Sequence, residues 1–140
     1  MLADKKALTL VVAKRIAAAA EREAVRNNWN IFIAIVDDGG NLMYLERMDD
    51  SQLASEAVSI GKARSALLFK RPTKALEDSV SAGRIVVMKL ANAVPIEGGI
   101  PLIAYGKIVG AIGISGATSP QDGIVAKAGA DEFERMLAGS

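Results

Sequence analysis

Residues Pro101 to Ser115 read PLIAYGKIVGAIGIS. Two β-branched, apolar runs flank Gly106-Lys107, and a glycine there supplies the positive φ of a two-residue type II′ turn, so the stretch predicts a β-hairpin. In its second strand Ile108, Ile112 and Ile114 are expected on one face, with Val109, Ala111, Gly113 and Ser115 on the other. That second face is nearly bare of side chain. Something must come close to it, either a helix or a ligand.

A second hairpin lies upstream. Ile31 to Val36 is a continuous β-branched and aromatic run, which predicts a strand buried on both faces. Asp37, Asp38, Gly39, Gly40 and Asn41 form a turn in which the aspartates hydrogen-bond their own backbone. Leu42 to Met48 is the returning strand.

Between and around the hairpins the period changes to that of helices. From Ala7 to about Asn28, the residues Leu8, Val12, Ile16, Ala19 and Ala20 recur at three- and four-residue steps. Ser51 to Phe69 predicts a second helix, with Leu53, Ala57, Ile60, Ala63 and Leu67 on its inner side. Pro72 ends it, and Thr73 is placed to cap a short helix from Lys74 to about Ser81. Arg84 to Leu90 reads equally as strand or helical turn. Ser119 is expected to cap the last helix, with Pro120 at the first helical position and Asp122 as the capping-box acid. Antiparallel hairpins separated by helices predict an α+β fold, not a parallel doubly wound sheet.

Composition limits the chemistry. The 140 residues suit one domain, 1–140, and 51% of them are hydrophobic against 4% aromatic, so Ala, Val, Ile and Leu must fill the core. The net charge is +1 with no basic block, which argues against nucleic acid as a partner. There is no cysteine and no histidine. Disulfides, thiolate nucleophiles, imidazole bases and histidine-ligated metals are therefore excluded. No run of about 20 apolar residues exists and no secretory leader is evident, so the expectation is a cytoplasmic protein with no membrane span.

Three segments resemble the GlcG/HbpS family of haem-binding-protein-like domains, which is related to the PduO C-terminal domain. They are AIVDDGGNLMYLERMD (Ala34 to Asp49), GKARSALLFKRPT (Gly61 to Thr73) and EGGIPLIAYGKIVGAIGISGATSPQDGIVAKAGA (Glu97 to Ala130). The resemblance runs in order along nearly the whole chain. It implies a profilin-like arrangement, a central antiparallel sheet flanked by helices, and a homo-oligomer, octamers being frequent. It also brings haem or another tetrapyrrole into view as ligand, without a defined cofactor. Asn41 stands where the family leads one to expect histidine, so histidine ligation does not carry over. Tyr44, Tyr105, Met43, Met48 or a lysine are the alternatives for iron.

The residues nominate a site of their own. Gly98 and Gly99 form either a loop that admits a ligand closely or a turn that needs glycine. Ser115 to Ser119 lead into a helix N-terminus, which suits an anion or plain capping. Arg47 is placed to clamp a carboxylate or to pair with Asp49 or Asp50. Of Lys62 and Arg64, one faces a pocket or a subunit interface, or else both lie on a solvated helix face, and Arg71 binds an anion or holds its loop. Glu97, beside the two glycines, is the acid named for proton transfer. These residues suggest an anionic small-molecule ligand held near Gly98, Gly99, Ser115 and Ser119; a tetrapyrrole there is what the resemblance implies. The alternatives are a cofactor-independent enzyme of organic-acid breakdown (an isomerase, lyase or hydrolase) with Glu97 or a lysine as base, and an accessory structural subunit.

Overall fold

The computed structural model describes residues 1–139; Ser140, the last residue of the expected domain, lies outside the described residues. Helix α1 (Leu10–Arg26) precedes strands β1 (Phe32–Asp37) and β2 (Leu42–Arg47). Helices α2 (Ser55–Phe69) and α3 (Thr73–Ser81) follow, then a 3₁₀ turn at Ile85–Lys89. Strands β3 (Gly99–Ala104) and β4 (Lys107–Ser115) and helix α4 (Ser119–Ala138) complete the chain. The strands form one antiparallel sheet in the order β2-β1-β4-β3. This is the α+β arrangement of a central sheet flanked by helices.

The two sheet faces carry different helices. On one, Ile33, Ile35, Ile112 and Ile114 pack with Ile16 and Ala20 of α1 and Val125 and Phe133 of α4. On the other, Ala34, Val36 and Ala111 meet Ala63, Ala66 and Leu67 of α2. Strands β1 and β4 are central and covered on both sides, which is why their sequences read as unbroken apolar runs.

The bare face of β4 is covered by α2. A Cβ built on Gly113 would lie 2.1 Å from the Ser59 carbonyl oxygen, and one on Gly99 would lie 2.3 Å from that of Lys62. Helix backbone and sheet touch there, and no side chain larger than hydrogen fits.

Several local expectations are corrected. The hairpin turn is Tyr105-Gly106, not Gly106-Lys107, because Ala104 pairs with Lys107. Both turn residues have positive φ, 51° and 78°, so the turn is of type I′. Leu102 opposes Gly110 and Ile103 opposes Ile108, which leaves Val109 as the extra residue of a β-bulge. Val109 therefore joins Ile112 and Ile114, while Ile108 packs on the α2 side. Helix α2 starts four residues later than expected, because the Ser51 amide and hydroxyl both donate to the Met48 carbonyl, closing a turn first. Its inner side is Ser55, Ser59, Lys62, Ala63 and Ala66, whereas Leu53 and Ala57 are exposed. Finally, Thr118 and Gln121 form the capping box of α4 in place of Ser119 and Asp122, and Thr73 spends its hydroxyl on the Gly99 amide and caps nothing.

Candidate functional site

The glycine loop is filled from within. Lys62 is 1% exposed, and its stem occupies the space beside Gly98. Its ammonium donates to Asp122 Oδ2 at 3.0 Å and to the Ile114 carbonyl at 3.0 Å. Asp122 Oδ1 accepts from the Ala117 amide at the entry to α4. Burial holds the Asp122 carboxyl above its ordinary range, against the pull of Lys62 and of the Ala117 and Gly116 amides. Ser115 is likewise buried, hydrogen-bonded to Ser55 of α2 at 3.1 Å. Gly98, Gly99, Ser115, Lys62 and Asp122 thus form a packed polar seam between sheet, α2 and the start of α4. Ser119 is the first helical residue, half-buried. Glu97 lies at the rim of the seam: its amide donates to Glu77, and its carboxylate rests against Gly123.

Arg47 and Arg71 stand at open clefts elsewhere, and Arg64 donates to the Gly40 carbonyl. Arg47 ends β2 and lines a cleft of about 520 Å³ with Glu21, Tyr44, Glu46 and Met48. Tyr44 and Glu46 are two apart on one strand, so they share a face. The Tyr44 hydroxyl donates to Glu46 Oε1 at 2.8 Å, and the Glu46 carboxyl also hydrogen-bonds Glu21 of α1. Desolvation, then the neighbouring Glu21 carboxylate, push Glu46 up to about 7. Desolvation, then the bond to Glu46, push the Tyr44 phenol up to about 12. Tyr44 therefore stays neutral near pH 7, and Glu46 is poised between its two protonation states.

Arg71, with its Nε donating to the Phe69 carbonyl, borders a cleft of about 220 Å³ whose walls are Ile100, Leu102, Ile103 and Phe133. Lys70, held in the left-handed conformation at the end of α2, sits beside it. Phe133 also lines a second cleft of about 190 Å³, walled by Leu8, Val12 and Val109 and bordered by Lys6 and Tyr105. The two adjoin along β3, an edge strand, and offer apolar walls with the cations Lys6, Lys70 and Arg71 and the Glu134 carboxylate at the borders.

Sequence reasoning did not single out Glu21, Glu46 or Lys70. Only the Tyr44–Glu46 spacing carried a local signal; Glu21 meets them through tertiary packing. Among the described residues, no three Asp or Glu side chains cluster to hold a metal ion, and no helix is long and apolar enough to cross a membrane.

GlcG of Escherichia coli is 44% identical over 111 residues, covering 79% of this chain and 83% of that protein. The crystal structure of Klebsiella pneumoniae protein ORFY superposes with a TM-score of 0.85 at 31% identity, covering 96% of this chain and 97% of that one. A crystal structure of a PduOC–haem complex superposes with a TM-score of 0.83 at 27% identity, covering 91% and 95%. A family model described as "Haem degrading protein HbpS-like" matches residues 8–131, and the chain belongs to that HbpS-like family.

Proposed function

We propose that this protein, acting as one domain in the cytoplasm, binds a flat, largely apolar anion in the groove along β3, and that a tetrapyrrole such as haem is the ligand. The observation that carries the reading is the pair of clefts joined at Phe133, apolar along their walls and bordered by Lys6, Lys70 and Arg71. A macrocycle needs apolar faces for its ring and cations for its carboxylates, and this groove has both. The haem complex of a relative supports the ligand class. Bound haem would bring an iron centre able to exchange electrons and accept a ligand. With histidine absent, Tyr105, 68% exposed at the hairpin tip, is the phenol oxygen that borders the groove, whose lining also includes Thr9 and Glu134. Lys70 and Arg71 would orient the carboxylates.

The test is a spectroscopic haem titration of the pure protein. A saturable Soret change at one site per chain is expected, perturbed in position by Tyr105→Phe and weakened by Arg71→Ala. The absence of a saturable change overturns the reading.

Self-association belongs to the same proposal. Ile85, Val86, Met88 and Leu90 are all at least 45% exposed in and just after one short turn, apolar side chains that a second copy would cover. Sedimentation of a monomer at micromolar concentration would exclude the homo-oligomer.

One observation favours a second reading, an enzyme acting on a small organic acid. Glu46, near 7 in an open cleft, has the acidity of a general acid–base at neutral pH, and Arg47 in the same cleft suits a substrate carboxylate. Glu46 takes the role considered for Glu97. In this reading Glu46→Gln abolishes turnover without loss of folding, and an unchanged rate rejects it.

A further inference from the structure

A different surface carries a site of another kind. Arg15, Arg22 and Arg26 follow one another at seven- and four-residue steps along α1, so they share a stripe of that helix. Arg135 joins them from the last turn of α4. Glu132 lies between: its carboxylate is 3.8 Å from Arg15, 3.5 Å from Arg22 and 3.6 Å from Arg135. Its side chain is 16% exposed, against 62% to 67% for those three arginines.

Charge-assisted hydrogen bonds run at about 2.7–2.9 Å. The Glu132 contacts are all longer, so the carboxylate gathers three guanidiniums by charge without consuming their donors. Two other acids nearby are committed: Glu23 pairs with Arg26, and Asp131 with Lys127. The Glu132 carboxylate is thus left to balance Arg15, Arg22 and Arg135. Beside them opens a cleft of about 400 Å³, lined by Arg22, Arg26 and Arg135, by the paired acids Glu23 and Asp131, and by Ala19 and Ala128. The alanines, where α1 and α4 pack, leave room that longer side chains would fill.

We infer that this groove binds a small polyanion, a molecule with two or more carboxylate or phosphate groups, held by Arg22 and Arg135, with Arg26, itself paired with Glu23, beside them. Guanidinium forks suit both groups, each offering two parallel N–H donors to two oxygens. The site lies on the α1–α4 surface and shares no residue with the groove along β3 or with the Glu46 cleft.

The experiment is isothermal titration calorimetry of the full chain with inorganic pyrophosphate and, separately, with citrate, at low salt and at physiological ionic strength. Saturable heat at one site per chain is expected, weaker at higher salt because the arginines are solvated. The tighter of the two anions identifies the phosphate or the carboxylate class. Arg22→Ala and Arg135→Ala should each weaken binding about tenfold or more, the scale of a lost charge-assisted hydrogen bond. Arg22→Lys keeps the charge but loses the fork, and should weaken binding while the circular dichroism spectrum is unchanged. No saturable heat with either anion, or affinities indifferent to all three substitutions, would overturn the assignment.

Discussion

Lys62 Nζ lies 3.0 Å from Asp122 Oδ2, with the two side chains 2% and 3% exposed, so α2 and the first turns of α4 are tied by an ion pair almost entirely withdrawn from water. Removing one partner of such a pair strands the other charge. Lys62→Met should cost about 3–5 kcal/mol of unfolding free energy. Lys62→Met combined with Asp122→Asn should recover much of that loss, since the asparagine oxygen still accepts from the Ala117 amide. Urea unfolding of both single variants and the double variant measures it, and a cost below about 1 kcal/mol for Lys62→Met would contradict this account.

The Glu21–Glu46 contact predicts a pH dependence. The folded acidity of Glu46, about 7, lies above its ordinary value of 4.5. Folding therefore favours the protonated form. Stability should fall as pH rises from 4.5 to about 7 and stay level above it on this account. Glu46→Gln should flatten that slope in thermal melts taken across the range. Tyr44→Phe should raise Glu46 further, because the Tyr44 hydroxyl is a donor that favours the carboxylate. A carboxyl-carbon NMR titration reads this directly, and a downward shift would contradict it.

The contact between β4 and α2 predicts an intolerant position. A methyl on Gly113 would meet the Ser59 carbonyl oxygen at 2.1 Å, with Ala63 also in the way. Both obstacles include backbone, which cannot rotate aside. Gly113→Ala should destabilise by about 3 kcal/mol or more, seen as a lowered urea midpoint.

Tyr105 predicts opposed effects on stability and binding. A tyrosine at φ 51° carries a left-handed cost of about 1–2 kcal/mol that asparagine largely avoids, and asparagine followed by glycine is the preferred type I′ pair. Tyr105→Asn should therefore raise the unfolding free energy by about 1 kcal/mol while perturbing the Soret band of a haem-loaded sample. Stabilisation with an unaltered spectrum would remove Tyr105 from the proposed ligand site.

Both hairpins and the helices were legible in the sequence because each obeys a local rule. Ile31 to Val36 announces a central strand, and the bareness of Ala111, Gly113 and Ser115 announces a close neighbour. The buried face of α2 was not legible, since small polar residues line it where the apolar pattern pointed to Leu53 and Ala57. A helix lying backbone-to-backbone on a sheet has no room for leucine, so serine and alanine serve better. The seam failed for a related reason: Lys62 and Asp122 are 60 residues apart, and no spacing rule links them. Asp122 looked like a cap because an acid near the start of a helix usually is one. The groove along β3 draws on the N-terminal segment, the end of α2, β3, β4 and α4, and becomes visible only when the chain is folded.

The bulge at Val109 bears on how this hairpin can change length. Gly110 and Ile108 already face opposite layers, as neighbours in a regular strand would. Losing Val109 or Gly110, the two bulge residues that share one face, would leave the phase of both flanks intact, whereas losing a residue from the regularly paired part of the strand would invert every side chain out to the tip. The bulge is therefore the place in β4 where evolution or an engineer can drop a residue and leave the tip, with Tyr105, in step with the central sheet.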